Sequence, residues 1–208
     1  MGPWTKRFFE TTRGRLVSLL RRRTMTVEEL ASAVGVTDNA VRAQLAALER
    51  DGLVRQRGTV KGAGKPSFTY ELTPEVEPSL SRAYLSLFDA LADTLEERLD
   101  PAALEALLRE AGRRAASRVP VPSGDPAARA RAAAAILVEL GGLAEAVQSS
   151  GRWTIESDGC PLSAMVGKHP ALCRAVESML SELTAQPVRE CCDRAGERPR
   201  CRFELGSA

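Results

Sequence analysis

Apolar residues recur at helical spacing near the start of the chain, and the breaks between the apolar runs predict three short helices. The first covers residues 12–23. The second begins at Thr26, where Thr-Val-Glu-Glu has the form of a capping box, and ends at Gly35, which suits a left-handed closing position. The third begins at Thr37 or Asp38. Two amphipathic helices joined by a short turn containing glycine are typical of a helix-turn-helix.

A β-hairpin is predicted after the third helix. Residues 51–54 end the helix and start a strand, residues 55–66 form a basic, glycine-rich loop, and residues 67–72 return as a strand. Exposed positions on the third helix and the hairpin carry residue types that read base edges or contact phosphates, although ordinary solvated positions would have similar composition. The candidate DNA-binding residues are Thr37, Asn39, Arg42, Gln44, Arg57, Lys61 and Lys65.

This region carries a recognisable signature. Leu-Glu-Arg-Asp-Gly-Leu-Val at residues 48–54 is followed by a Gly-Lys-Pro loop and by Tyr-Glu-Leu-Thr at residues 70–73. Residues 12–74 thereby resemble the winged-helix repressors of bacteria in the broad arsenic- and multiple-antibiotic-regulator superfamily. The resemblance implies DNA binding and leaves the operator open.

Longer apolar helices are predicted next, over residues 74–99 and over residues 101–118 with Asp100 as N-cap. A breaker-rich linker at residues 119–126 leads to an alanine-rich helix over residues 126–140. Helices placed just after a wing suit a dimer, because two DNA half-sites need a two-fold protein. Alternatively, each helix only covers its own domain.

From residue 141 the spacing of apolar residues changes from that of helices to a mixture of strands and helices. Strands are predicted over residues 143–149 and 152–157, a helix follows His169, and residues 188–192 and 200–205 form a closing hairpin. All five cysteines lie in the last 49 residues of the chain: Cys160, Cys173, Cys191, Cys192 and Cys201. Such clustering predicts one metal site within one domain.

Strand alternation distinguishes the thiols of the closing hairpin. Cys201 shares a face with Phe203, which predicts a buried, ligand-like position. On the partner strand Cys192 shares a face with Val188, so it is favoured over Cys191. Thiolates bind zinc or an iron–sulfur cluster in preference to hard cations, and the absence of a Cys-x-x-Cys pair argues against a simple zinc ribbon.

The cysteine pattern resembles a second family. Cys160 precedes proline, twelve residues separate it from Cys173, and twenty-seven residues separate Cys173 from Cys201, with His-Pro-Ala-Leu leading into Cys173. These features resemble the iron–sulfur-responsive repressors of the Suf regulator type, and the segment from Cys192 to Cys201 also resembles the end of vinyl-reductase (4VR) domains. The resemblance implies a homodimer that binds DNA and holds a [4Fe-4S] cluster. The metal ligands it implies are Cys160, Cys173, Cys192 and Cys201.

Several alternatives remain open from the sequence. His169 could replace a thiolate and make a Cys3His zinc site, and structural zinc could accompany an organic effector in a vinyl-reductase-like pocket. The thiols could form a redox switch with Cys191 or Cys192 as the reactive member, or could be inert core residues. An enzyme is disfavoured, because no carboxylate partner near His169 in the sequence orients it for catalysis.

Charge separates the chain into two parts with different chemistry. Residues 1–74 hold 13 Lys and Arg against 7 Asp and Glu, whereas residues 75–208 hold 16 against 20, which leaves a net charge of +2. A basic first part suits a phosphate backbone, although it would also suit a membrane surface. No apolar run approaches the roughly 20 residues of a membrane span, and no signal-peptide core is present, so a cytoplasmic location is expected.

Together these patterns predict an α+β fold in three parts. Residues 1–74 form a winged-helix DNA-binding domain, residues 75–118 a helical dimerisation or connecting region, and residues 119–208 a small α/β sensory domain that binds an iron–sulfur cluster. The expected function is transcriptional repression in which the cluster controls operator affinity.

Overall fold

The computed structural model describes residues 3–61, 66–80, 83–120, 124–194 and 199–206. The described helices are α1 (Pro3–Glu10), α2 (Thr12–Leu20), α3 (Val27–Val34), α4 (Asp38–Arg50), α5 (Val76–Leu80), α6 (Ala83–Arg98), α7 (Pro101–Ala116), α8 (Pro126–Glu139) and α9 (Cys173–Thr184), with a short 3₁₀ segment at Pro170–Leu172. The described strands are β1 (Met25–Thr26), β2 (Val54–Val60), β3 (Ser67–Leu72), β4 (Ala144–Ser149), β5 (Arg152–Ser157), β6 (Val188–Glu190) and β7 (Cys201–Leu205). The predicted α+β fold class is confirmed.

The chain divides into two compact units, unit 1 at Met1–Leu85 and unit 2 at Ser86–Ala208. In unit 1, helices α2 to α4 pack with an antiparallel sheet in the order β1-β3-β2. Its core side chains are almost completely buried: Leu16, Val17, Leu30, Val41, Leu45 and Leu48. Because these residues come from all three helices, the core fixes the angle at which α4 meets its neighbours.

Local signals start and end α3 and start α4 as predicted. The Thr26 hydroxyl accepts from the Glu29 amide at 3.2 Å, and the Glu29 carboxylate accepts from the Thr26 amide at 2.7 Å, which completes the capping box. Gly35 ends α3 with φ +78°, and Thr37 is the N-cap of α4. Helix α1 was not predicted, and α2 ends at Leu20, before the predicted end at Arg23.

Unit 2 contains an antiparallel sheet in the order β4-β5-β7-β6. Helix α8 packs on β4 and β5, helix α9 packs on β6 and β7, and the two helices contact each other, so both cover the same face. Ile155 lies directly opposite Phe203 in the sheet, and both side chains are buried under these helices. Within the described residues, no helix is long and apolar enough to cross a membrane.

The helical region falls into both units, which differs from the expected three parts. Leu80 of α5 packs against the core of unit 1, whereas α7 packs closely along α9 in unit 2. Residues 75–118 therefore do not form a body of their own. The single helix expected over residues 74–99 is described as α5 and α6, and residues 81–82 between them lie outside the described residues.

Gly112 allows the close approach of α7 to α9. A Cβ atom at this position would lie 2.1 Å from the Ala175 carbonyl oxygen and 2.9 Å from the Met179 amide nitrogen. Both neighbours are backbone atoms, so a side chain here would have to push the helices apart. The Ser178 hydroxyl also donates to the Arg109 carbonyl at 2.9 Å, a contact that depends on the same separation.

Replacing Gly112 with alanine should destabilise unit 2, although alanine is the better helix former. Overpacking of this kind costs about 1–3 kcal/mol, more than the ~1 kcal/mol gained in helix propensity. Chemical denaturation followed by circular dichroism measures the change. Gly167→Ala is the matched control, because a Cβ at Gly167 meets no atom within 4 Å. Equal stability of the two variants would contradict the close-approach argument.

Candidate nucleic-acid interface and thiol centre

Helix α4 carries four of the candidate DNA-binding residues at its N-terminal end. Asn39 and Arg42 are exposed, whereas Gln44 is half-buried and so has less reach. The Thr37 hydroxyl accepts from the Ala40 amide at 3.3 Å, and its own proton remains available to donate to a phosphate. The structure therefore places Asn39 and Arg42 best for base contact.

The same helix exposes small residues that the sequence analysis did not consider. Ala43 and Ala46 are exposed and follow Asn39 and Arg42 at helical spacing. Small side chains let a helix lie close to the bases, and an alanine methyl group packs against the methyl group of thymine. Alanine residues on the polar side of the predicted helix were the sequence feature that could have revealed these positions.

The hairpin presents fewer free cations than its sequence suggests. Arg57 donates to Glu71 at 2.9 Å, and Arg55 donates to the same carboxylate at 3.0 Å. Hydrogen bonds from Arg55, with the nearby charge of Arg57, lower the pKa of Glu71. Lys61 is exposed, and Lys65 lies outside the described residues. Exposed ion pairs are weak, so Arg57 can exchange Glu71 for a phosphate at small cost.

Four of the five cysteines lie at the ends of neighbouring elements in unit 2. Cys160 follows β5, Cys173 is the first residue of α9, Cys192 follows β6, and Cys201 begins β7. The Ser157 hydroxyl holds the bend before Cys160, since it donates to the Gly159 carbonyl at 2.6 Å and accepts from the Leu143 amide at 2.9 Å. Because β5, β7 and β6 are adjacent in the sheet, these ends meet.

The thiols interact as neighbours in the order Cys160, Cys201, Cys192, Cys173. The thiols that are not adjacent in this order act on each other electrostatically, as Cys160 and Cys173 do. Cys160, Cys173 and Cys201 are buried, and Cys192 is partly exposed beside the same core. The four cysteines predicted as ligands therefore lie near one another.

Mutual contact shifts the acidity of these thiols. A hydrogen bond with Cys201 lowers the pKa of Cys160, and the same interaction raises the pKa of Cys201 to about 12. The pKa of Cys192 also rises to about 12, because its hydrogen bond with Cys201 and burial outweigh the lowering by Cys173. The hydrogen bond with Cys192 and burial raise the pKa of Cys173. These interactions therefore favour the protonated form of Cys173, Cys192 and Cys201 and the thiolate form of Cys160.

Cys191 has different neighbours from the other four thiols. Its sulfur lies 3.8 Å from the Arg189 carbonyl oxygen, and its amide donates to the Arg202 carbonyl at 2.8 Å. The Cys192 sulfur instead accepts from the Arg202 amide at 3.3 Å, on the side of the other thiols. Strand alternation had favoured Cys192 over Cys191, and the structure places the two sulfurs accordingly.

Two charged residues beside the thiols were missed by the sequence analysis. Arg194 hydrogen-bonds the Cys173 thiol, which raises the pKa of Arg194, and it pairs with Glu190 at 2.6 Å. Glu190 in turn accepts from the Cys192 amide at 2.9 Å. A guanidinium next to a thiolate offsets its negative charge, so Arg194 counteracts the rise in the pKa of Cys173.

His169 is not directed at the thiols. Its Nε2 lies 3.1 Å from Asp89 Oδ1, and its Nδ1 lies 3.0 Å from Glu96 Oε1. Burial lowers the pKa of His169, but Glu96 and Asp89 outweigh burial and leave it above its usual range. These carboxylates are more than 70 residues away in the chain, which is why a sequence search near His169 found none.

The fold of unit 1, with an exposed helix and an antiparallel wing, defines a DNA-binding winged helix-turn-helix. Residues 10–56 match the family described as bacterial regulatory protein, arsR family. The chain is therefore a DNA-binding transcriptional regulator of the winged-helix type, and the matched family consists of regulators rather than enzymes.

Solved structures are similar over about half of the chain. A MarR family transcriptional regulator from Silicibacter pomeroyi is 20% identical, with a TM-score of 0.31, over 55% of this chain and 75% of its own. The regulator BldR from Sulfolobus solfataricus is 22% identical, with a TM-score of 0.30, over 55% and 82%. ZitR from Lactococcus lactis is 14% identical, with a TM-score of 0.29, over 56% and 87%. No curated protein is significantly similar.

Removing the Arg42 side chain should weaken binding to specific DNA. Loss of one bidentate base contact costs about 1–3 kcal/mol, or roughly 5- to 150-fold in affinity. Fluorescence anisotropy measures this on a duplex selected from a random library by the unmodified protein. Arg131→Ala is the control, because it removes the same charge from an exposed position in unit 2. Equal affinities of the two variants would remove Arg42 from the interface.

Proposed function

We propose that this regulator is a cytoplasmic, homodimeric repressor whose operator affinity is controlled by a [4Fe-4S] cluster on Cys160, Cys173, Cys192 and Cys201. The observation that carries the proposal is the connected group of four thiols at the ends of β5, β6, β7 and α9. The same chain contains a DNA-binding unit, so a change at the thiols of unit 2 can be the signal that controls DNA binding by unit 1.

The donor set fits an iron–sulfur cluster. Four soft thiolates suit iron–sulfur clusters or zinc, and three of the four come from buried positions, where solvent and oxidants have little access. In a tetrahedral zinc site all sulfur atoms lie about 3.8 Å apart, given a Zn–S distance near 2.3 Å. Among the described residues, no three cysteine sulfur atoms lie within 4.8 Å of one another, a spacing that suits a cluster better than a single zinc ion.

The segment between Cys160 and Cys173, two of the proposed ligands, also contacts helix α6. Residues 161–172 run from Cys160 to Cys173, and within them Lys168 and His169 contact the carboxylates of Asp89 and Glu96. Helix α6 begins in unit 1 and continues into unit 2. Cluster loss would release the Cys160 and Cys173 ends of this segment, and the contacts of Lys168 and His169, which remain, would pass that change to α6.

Helix α6 also carries the surface that supports a dimer. Its exposed apolar side chains follow one another at helical spacing, namely Tyr84, Leu87, Phe88 and Leu91, with Leu85 beside them. A contiguous apolar stripe of this kind is a typical interaction surface. A second copy is the occupant that a two-fold operator requires, and it would bury this stripe against its own.

A structural zinc site with an organic effector is the second candidate. It is favoured by a cavity of about 860 Å³ in unit 2, whose lining includes Arg129, Arg152 and Trp153. Aromatic and cationic groups around one cavity suit a ligand with an acidic group. In this case the zinc-bound thiols stabilise the fold, and an organic ligand in the cavity controls operator affinity.

Anaerobically purified protein should be brown and contain about four irons and four sulfides per chain. Cys192→Ser should lose most of the iron, whereas the adjacent Cys191→Ser should keep it, because only the Cys192 sulfur faces the other thiols. Ultraviolet–visible spectra with iron, sulfide and zinc analysis measure this. A colourless protein with one zinc would favour the second candidate, and equal loss in both variants would overturn the ligand assignment.

Placing a charge on the α6 stripe should dissociate the dimer. Leu87 is 69% exposed in the single chain, and Leu87→Asp would bury an unpaired carboxylate between two copies. Sedimentation velocity measures the change in mass, and operator affinity should fall with it. Leu143→Asp is the control, because Leu143 is 70% exposed outside α6. A dimer that persists in the Leu87 variant would exclude this surface.

A further inference from the structure

A second group of metal-binding side chains lies between α6 and the turn that precedes α9. Asp89, Asp93 and Glu96 occupy one side of α6, and Lys168 and His169 face them. The His169 Nε2, an Asp89 oxygen and an Asp93 oxygen lie within 4.8 Å of one another. Three such donors are enough to hold one face of a metal ion.

His169 is the observation that distinguishes this group from an ordinary acidic surface. Its side chain is completely buried, and its Nε2 lies 3.1 Å from Asp89 Oδ1 and 3.7 Å from Asp93 Oδ1. The Nδ1 approaches Glu96 Oε1 to 3.0 Å, although the contact is not aligned as a hydrogen bond. Because a carboxylate can only accept, the Nε2–H group is the donor to Asp89, and a metal ion that bound Nε2 would displace this proton and leave the remaining proton on Nδ1, facing Glu96.

This geometry has the form of a metal ligand backed by a carboxylate. Metal-binding histidines commonly donate the other ring N–H to a carboxylate, which fixes the tautomer and the ring orientation. Glu96 occupies that second position for His169. Three carboxylates also face one lysine and one imidazole, so the group carries an excess of negative charge even when the imidazole is protonated, and a cation would balance it.

We propose that Asp89, Asp93 and the Nε2 of His169 bind a divalent first-row transition-metal ion, with Glu96 holding the Nδ1 side of the imidazole. One imidazole and two carboxylates form a harder donor set than four thiolates and suit Mn²⁺ or Fe²⁺. The site is separate from the thiol centre and stands whether or not that centre holds a cluster.

Lys168 provides an internal substitute for the metal ion. Its ammonium group contacts Asp93 Oδ2 at 2.6 Å and Asp89 Oδ2 at 3.0 Å. The Lys168 side chain is 51% exposed, so it can swing into solvent when an ion arrives. Asp89 and Asp93 are about two-fifths exposed, which leaves a path for the ion.

Mn²⁺ is the appropriate probe, because it prefers carboxylate and imidazole to thiolate. Titration of the full-length protein, followed by the electron paramagnetic resonance signal of free Mn²⁺, should show one ion bound per chain. Asp93→Asn should weaken binding at least 10-fold by removing a charged ligand without changing its shape. Glu96→Gln should weaken it by about 10- to 100-fold. Glu97→Gln, the exposed neighbour on α6, is the matched control and should bind as the unmodified protein does.

Two further variants separate a metal site from a purely structural ion-pair network. Lys168→Ala should bind Mn²⁺ more tightly, because it removes the competing ammonium group, and Mn²⁺ should then raise its melting temperature. Cys173→Ser should leave Mn²⁺ binding unchanged, which separates this site from the thiol centre. Failure of both the unmodified protein and Lys168→Ala to bind Mn²⁺, or equal binding by Asp93→Asn, would overturn the proposal.

Discussion

The register of β7 between β5 and β6 is the constraint on which the thiol centre depends. Ser157 lies opposite Cys201 and Ile155 lies opposite Phe203, so the buried face of β7 carries both the thiol and the largest core side chain of this sheet. A slip by one residue would turn every side chain of β7 to the other face. The hydrophobic core that holds Phe203 in place therefore also aims the Cys201 sulfur at its neighbours.

Local signals explain how much of the DNA-binding unit could be predicted from the sequence. The capping box at Thr26, the left-handed Gly35 and the N-cap Thr37 each act within a few residues, so the sequence alone reveals them. The pairing of Arg57 with Glu71 could not be predicted in this way, because it depends on the register of β2 against β3 and on its bulge. The sequence analysis therefore overestimated the positive charge that the β2–β3 hairpin has free to contact DNA.

The thiol centre could be predicted in part for a similar reason. Alternation along a strand distinguishes Cys192 from Cys191 and predicts the burial of Cys201, because a strand has a period of two. The charged residues that surround the sulfur atoms could not be predicted from strand alternation. Arg194 reaches Cys173 only after the chain has folded back on itself, and Asp89 reaches His169 across 80 residues. Contacts between distant segments leave no periodic pattern.

The order of the elements along the chain has a consequence for biosynthesis. Unit 1 contains no cysteine and has its own core, whereas Cys160 and the cysteines after it are translated last. Domains generally fold as units from the N-terminus during synthesis. The winged helix can thus leave the ribosome folded before any thiol of the chain has emerged, so newly made protein passes through a stage at which unit 1 is folded and the thiols of unit 2 have not yet met.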